Sequence, residues 1–303
     1  MTVYLTPSSN SVEPPLGSDL KGARLLISCP DAPGIVAAVA QFLYRQGANI
    51  LQSDQHSTDN GHGRFYMRVE FQAEALNSRF ATLQAAFVSV AKRFDMEWKM
   101  TRAKLQKRFA VFVSKEDHCL RELLWAWQAG DLWGQPVMVI SNHVEVQSLV
   151  ESFGIPFHHF PVNSDTKPAV EEKQLQLLQG QVDFLVLARY MQILTPQFVS
   201  HYPLQVINIH HSFLPAFVGR NPYGRAYDRG VKLIGATAHY VTPQLDEGPI
   251  IEQDVQRVDH RYGAEDMKRM GRRIERTVLV RAVQWHLEDR ILVHGNKTIV
   301  FPS

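Results

Sequence analysis

Phe184-Leu185-Val186-Leu187-Ala188 is a run of five apolar residues with no polar interruption. A strand with one wet face would alternate, whereas an unbroken run belongs to a strand covered on both sides, as in a parallel sheet between helices. Upstream, apolar runs at 109–114, 137–141 and 157–162 read as further strands, separated by helical patterns at 120–128, 144–153 and 170–178. This alternation predicts an α/β fold, a doubly wound and mostly parallel sheet over 109–303, with ligands beyond the carboxyl ends of its strands.

Downstream, Val206-Ile207-Asn208-Ile209-His210 is apolar except at two positions separated by two, so on a strand Asn208 and His210 point to the same side. That spacing alone suits a hydrogen-bonded core pair equally well. It is followed by Ser212-Phe213-Leu214-Pro215-Ala216-Phe217, a loop at a strand end. Farther on comes His239-Tyr240-Val241-Thr242-Pro243-Gln244-Leu245-Asp246-Glu247-Gly248-Pro249-Ile250-Ile251, with Asp246 lying 36 residues past His210.

The beginning of the chain reads differently. Residues 1–20 are rich in Ser and Pro without an apolar period, the composition of a poorly ordered tail. Arg24-Leu25-Leu26-Ile27-Ser28 reads as a strand, Pro30-Asp31-Ala32-Pro33-Gly34 as a turn, and 35–46 as a helix stopped by Gly47. Strands at 49–56 and 65–71 around a Gly-rich turn at 59–63, a helix at 78–93 and a strand at 97–102 complete a βαββαβ, ferredoxin-like unit over 21–102. A basic link, 103–108, joins the two domains.

Two domains accord with 303 residues, and 45% hydrophobic with 20% charged residues is ordinary globular usage. Lys plus Arg exceed Asp plus Glu by only 32 to 30, which offers no basic field for nucleic acid. Neither a secretory leader nor a run of membrane length appears, so a cytoplasmic protein without a membrane partner is expected. Cys29 and Cys119 stand far apart and in no metal-ligand spacing, and read as buried thiols. The 13 histidines, with the doublets His158-His159 and His210-His211, raise a metal-dependent hydrolase as a rival. Adjacent strand residues face opposite ways and no HExxH spacing occurs, so no metal site is expected.

Residues 23–102 resemble an ACT domain, carried by Pro30-Asp31-Ala32-Pro33-Gly34-Ile35. The resemblance implies a regulatory module that binds an amino acid, glycine or methionine, at Asp31, Gly34 and Asn49, and an enzyme assembled as a homo-oligomer, a dimer or tetramer. The Asn208-x-His210 strand with the loop through Asp246 resembles the formyltransferase family. That likeness implies that Asn208 and His210 hold a formyl oxygen while Asp246 manages protons and sets the imidazole's charge. Arg189-Tyr190-Met191-Gln192-Ile193-Leu194-Thr195-Pro196 resembles the family's pterin-binding segment and implies a folate pocket at Met191, Gln192, Ile193 and Leu194. The substrate implied is 10-formyltetrahydrofolate, with no separate cofactor. Further likeness lies in Asn142-His143, Gly235-Ala236-Thr237-Ala238-His239-Tyr240, Glu275-Arg276 and Gly295-Asn296-Lys297, while Arg220 and Pro243 depart from the family's pattern.

Members that formylate a phosphorylated glycinamide carry a glycine-rich phosphate loop after the first strand of this domain, because backbone amides must approach the phosphate closely. Here that place reads Val113-Ser114-Lys115-Glu116-Asp117-His118-Cys119, with no glycine and two acids. After His239 only 64 residues remain, too few for the basic domain of a tRNA-directed member. An ACT half before this catalytic half is the arrangement of the family's deformylase branch. It implies hydrolysis of 10-formyltetrahydrofolate to formate and tetrahydrofolate, supplying formate for purine synthesis and balancing one-carbon folate pools. Formyl transfer to an amine acceptor and a non-catalytic folate or amino-acid sensor are the alternatives.

Overall fold

The computed structural model describes residues 22–58, 63–215 and 222–302. The expected tail at 1–20, most of the Gly-rich turn and Arg220 lie outside the described residues. Two compact units emerge, one ending at Leu105 and the other beginning at Gln106.

In the first unit β1 (Gly22–Pro30), α1 (Ile35–Arg45), β2 (Asn49–Ser57), β3 (Arg64–Gln72), α2 (Leu76–Arg93) and β4 (Glu97–Arg102) succeed one another in the βαββαβ order. They make an antiparallel sheet, β2-β3-β1-β4. Ile35, Val39, Phe42 and Leu43 recur at helical spacing on α1 and are buried, as are Phe80, Leu83, Phe87 and Ala91 on α2. The two helices share a core with the sheet, in which Phe87 packs edge-on against Phe42 and Trp98 with ring centroids 5.1 and 5.0 Å away. Gly47, at φ 69°, turns the chain out of α1 at little steric cost.

The second unit runs β5 (Lys107–Val113), α3 (His118–Ala129), β6 (Gly134–Ser141), α4 (Gln147–Ser152), β7 (Phe157–His159), α5 (Lys167–Leu178), β8 (Phe184–Leu187), α6 (Pro196–Ser200) and β9 (Val206–His210). It continues with α7 (Pro222–Asp228), β10 (Leu233–Tyr240), β11 (Ile250–Arg257), α8 (Ala264–Leu287), β12 (Ile291–His294) and β13 (Lys297–Val300). Strand β5 starts at Lys107, inside the span read as a linker, because Lys107 and Arg108 pair in register with Gly134 and Gln135.

The main sheet has the order β11-β10-β9-β8-β5-β6-β7; its strands from β5 to β9 are parallel, and β10 pairs antiparallel with both β9 and β11. All of β8 is buried, as its unbroken apolar run requires. Alternate residues feed two cores. Phe109, Val111, Val113, Phe184, Val186, Ile207 and Ile209 pack with α3 and α8, while Ala110, Phe112, Leu185, Leu187 and Val206 pack on the face covered by α5 and α6. The strand order reverses between β5 and β8, which opens a crevice at their carboxyl ends.

Candidate active site

Ile207 and Ile209 enter the core beside α8, so pleating turns Asn208 and His210 to the opposite face, as the sequence spacing predicts. Strand β10 pairs with β9 so that His239 stands opposite Asn208 and Thr237 opposite His210. The loop after β10 brings Asp246 back over this pair, with a carboxylate oxygen 3.4 Å from His210 Nδ1 and the other 3.8 Å from His239 Nε2. Asn208, His210 and Asp246 thus meet around a fourth residue, His239. The sequence contains His239 only as a motif letter; its role depends on strand register.

Several features hold this geometry. The His239 ring nitrogen Nδ1 is 3.0 Å from the Tyr240 carbonyl, which can only accept, so Nδ1 carries the proton and Nε2 is left to accept from the Asn208 amide nitrogen at 3.2 Å. One N–H of the Asn208 amide is thereby oriented and its second remains available. Asp246 adopts φ 57°, a left-handed conformation that Asp tolerates better than most residues. The end of its loop is closed by the Tyr240 amide donating to the Pro249 carbonyl at 2.9 Å. A Cβ on Gly248 would lie 1.8 Å from the Tyr240 carbonyl oxygen, so this position requires glycine. Pro243, the departure in this loop, is exposed. Behind His210, Thr237 donates to the Ser212 carbonyl at 2.9 Å and accepts from the Leu214 amide at 3.0 Å, fixing the loop that follows the strand.

The charges follow from burial. Burial raises the Asp246 carboxyl, but the hydrogen bond and charge of His210 outweigh it and hold the group below its ordinary range as a carboxylate. Burial pushes the His239 imidazole down, consistent with a neutral ring that accepts from Asn208. His210 Nε2 is buried and has no hydrogen-bond partner among the described residues. A buried polar atom without a partner is costly, and this one belongs to the ring whose other nitrogen faces Asp246.

The folate segment leaves β8 at the strand-order reversal. The Ser114 hydroxyl donates to the Asn142 side-chain oxygen at 2.7 Å and accepts from the Met191 amide at 3.0 Å, and the Ser114 amide donates to the Arg189 carbonyl at 3.2 Å. One serine therefore ties the ends of β5, β6 and β8 together. Met191 and Ile193 are exposed, 52% and 60%, Gln192 is half-buried, and the Leu194 side chain is instead buried in the core beside α6. Any contact from Leu194 to a ligand would be through its backbone.

Next to this segment lies a cavity of about 390 Å³ whose wall includes Met191, Arg189, His211, Tyr223 and Glu275. None of Asn208, His210 and Asp246 lines it; His211, whose ring centroid is 5.3 Å from that of His210, connects the two places. Glu275, on α8, accepts from His118 Nε2 and from the Tyr223 hydroxyl, each at 2.7 Å. Burial raises its carboxyl, yet these bonds and the charge of Arg189 bring it down to about 2. Tyr223 reaches α8 only because residue 271 is glycine: a Cβ there would lie 2.0 Å from the phenol oxygen. His118, Cys119 and Glu275 are near enough to hold a metal ion. Glu275 is already engaged on both oxygens, and burial pushes the Cys119 thiol well up. Cys29 is likewise buried, its thiol raised to about 11 by burial.

In the first unit Asp31 and Gly34 share the turn into α1, with Gly34 at φ 92° and the Asp31 carboxylate accepting from the Ser57 hydroxyl. Asn49 is not their neighbour within one chain. Pro30 and Ser57 pair with Arg64 and Phe65 at one end of the sheet, whereas Gly22 and Asn49 both pair with Gln72 at the other. β1 and β2 run in the same direction, so the start of β2 lies at the end of the sheet away from the turn that follows β1.

Residues 107–283 match the formyl transferase family and residues 23–78 the ACT domain. The chain is 62% identical over 286 residues to the formyltetrahydrofolate deformylase of Bacillus subtilis, covering 94% of this chain and 95% of that relative. Among solved structures, a formyltetrahydrofolate deformylase from Pseudomonas syringae is similar with a TM-score of 0.89 at 49% identity, over 93% of this chain and 94% of that one. Glycinamide ribonucleotide transformylase 1 from Symbiobacterium toebii is similar over 64% of this chain and 94% of its own, with a TM-score of 0.61 at 28% identity.

Proposed function

The chain belongs to the formyltransferase family, within its ACT-bearing formyltetrahydrofolate deformylases that hydrolyse 10-formyltetrahydrofolate, and we propose that Asn208, His210 and Asp246 carry this hydrolysis. The observation that carries the assignment is His210 Nε2, a buried ring nitrogen without a partner on a ring anchored by Asp246. With Nδ1 donating to the Asp246 carboxylate, the doubly protonated ring offers Nε2–H to an oxygen that the reaction brings.

Met191, Gln192 and Ile193, with the backbone at Leu194, hold the pterin so that the formyl oxygen meets His210 Nε2 and the second N–H of Asn208. Water attacks the formyl carbon, and the carbonyl electron pair moves onto oxygen. The two donors stabilise that oxyanion in a site where water competes poorly. The attacking water gives its proton to the Asp246 carboxylate. Collapse of the tetrahedral adduct breaks the carbon–nitrogen bond, the pair leaves on nitrogen with the proton held by Asp246, and formic acid ionises to formate. Asp246 thus has two tasks, keeping His210 oriented as a donor and carrying one proton from water to the leaving amine.

Incubating the purified protein with 10-formyltetrahydrofolate and following formate and tetrahydrofolate tests this reading. Equimolar release is expected, unaffected by glycinamide ribonucleotide. A formylated amine in place of formate would sink it, as would activity lost to a chelator and restored by zinc.

The ACT unit supports amino-acid control of this reaction. The ligand would approach the turn holding Asp31 and Gly34, and Asn49 would have to come from a second copy in a homo-oligomer, because one chain separates them. A thermal-shift series with glycine and methionine and a sedimentation run test the two statements. Two unpaired buried thiols support a reducing, cytoplasmic setting, and among the described residues no helix is long and apolar enough to cross a membrane.

A further inference from the structure

The cavity beside His211 has no task in the reaction as derived, although it shares Met191 with the folate segment and His211 adjoins the oxyanion donor His210. It contains an unusual cation. The Arg189 side chain is only 11% exposed, and its Nε and Nη1 are buried without a hydrogen-bond acceptor among the described residues. The carboxylate beside it, Glu275 at 3.5 Å, has its two oxygens committed to His118 and Tyr223. Arg189 also sits at φ 65°, a conformation unfavourable for a non-glycine residue and retained where surrounding structure or function demands it. Guanidinium donors buried without acceptors are destabilising, so although Glu275 balances the charge, the arrangement calls for a further hydrogen-bond acceptor.

The cavity also limits which anion fits. The other cations in its wall, Arg272 and Lys268, face the Glu116 carboxylate at 2.8 and 3.7 Å, so the chain supplies its own counter-charge where a phosphate-bearing ligand would otherwise be held. His211, kept neutral by burial and by Arg189 with its pKa down at about 3, contributes a hydrogen-bonding group but no second charge. Arg189, whose charge Glu275 balances but whose Nε and Nη1 donors lack acceptors among the described residues, suits a small monoanion that accepts both.

Hydrolysis at His210 makes one. We infer that Arg189 forms a formate subsite: the product leaves the oxyanion donors past His211 and is received by the Arg189 guanidinium through charge-assisted hydrogen bonds before it escapes. The inference rests on the hydrolytic reading above and deepens it, since the same cavity, provided with its own anion at Glu116, is closed to phosphorylated amine acceptors.

The test is direct binding of isotope-labelled formate, followed by NMR on the full-length protein, with nitrate and inorganic phosphate as competitors and chloride at matched ionic strength. Saturable binding is expected, displaced by nitrate and not by phosphate. Arg189→Gln should weaken it by about tenfold or more, the loss of one hydrogen bond to a charged group. Arg189→Lys, which keeps the charge but loses the planar fork, should fall between, and it serves if Arg189→Gln proves unstable. In steady-state assays the inhibition constant for formate should rise in parallel, with that for tetrahydrofolate changed far less. Formate that binds no better than chloride, or equally well in both variants, overturns the subsite. Binding that depends on Arg189 in a protein that releases no formate from 10-formyltetrahydrofolate would instead sink the reaction and leave the subsite standing.

Discussion

His239 faces Asn208 across the β9–β10 pair, with its Nε2 3.2 Å from the Asn208 amide nitrogen and its Nδ1 committed to the Tyr240 carbonyl. A neutral histidine in one tautomer therefore decides which way the Asn208 amide points. His239 acts through Asn208 and is a positioning residue. Replacing it with Phe should lower kcat by about ten- to a hundredfold with KM nearly kept, a fraction of the hundred- to thousandfold that loss of an oxyanion donor costs. A double-mutant cycle of His239→Phe with Asn208→Ala should be strongly less than additive, because the amide is mispositioned in one variant and absent in the other. Additive losses would mean that His239 works independently of Asn208.

Asp246→Asn removes the proton carrier and the charge beside His210 while keeping the volume. Turnover should fall by at least about a hundred- to a thousandfold, and tetrahydrofolate binding, measured by equilibrium titration, should stay close to that of the unmodified protein. Loss of binding in step with turnover would instead place Asp246 in substrate capture.

Gly248→Ala reaches the same carboxylate through the backbone. With a Cβ built 1.8 Å from the Tyr240 carbonyl oxygen, the loop end must move and Asp246 must move with it. Thermal unfolding should show a loss of about 1–3 kcal/mol, typical of overpacking, and formate release should fall more than that loss of folded protein explains. Normal stability and turnover would show that the loop relaxes freely.

Glu275 gives a pH-dependent term in stability. Its carboxyl lies at about 2 in the folded protein against 4.5 unperturbed, with burial opposing and the bonds from His118 and Tyr223 and the charge of Arg189 prevailing. A depressed carboxyl stabilises the fold fully above its unfolded pKa and loses that contribution as pH falls from about 4.5 toward 2, ~3 kcal/mol in all. Denaturant titrations across this range should show the acid slope, and Glu275→Gln should flatten it while lowering stability at neutral pH. An unchanged slope would remove Glu275 as its source.

What could be read from the sequence was local. The unbroken run at 184–188 revealed a strand covered on both faces, and the two-residue spacing of Asn208 and His210 put them on one side of another. Asp246 came from likeness to a family, since nothing in the chain between says that the loop folds back. His239 was hidden because its meeting with Asn208 is set by the register of strands 31 residues apart, and alternation along one strand does not give its partner. The separation of Asn49 from Asp31 within one chain is hidden for the converse reason: β1 and β2 run in the same direction, which puts the two at opposite ends of the sheet. The Arg189–Glu275 contact joins the exit of β8 to the middle of α8, a pairing that only the folded domain creates. Leu194 looked like its exposed neighbours Met191 and Ile193 until the bend into α6 turned it inward.

The source of the second oxygen in the product most directly decides whether this centre uses water. In water enriched in heavy oxygen, formate formed from 10-formyltetrahydrofolate should carry one labelled oxygen per molecule and appear one for one with tetrahydrofolate, with an amine acceptor present or absent. Unlabelled formate, or a formylated amine taking its place, would contradict hydrolysis at Asn208, His210 and Asp246.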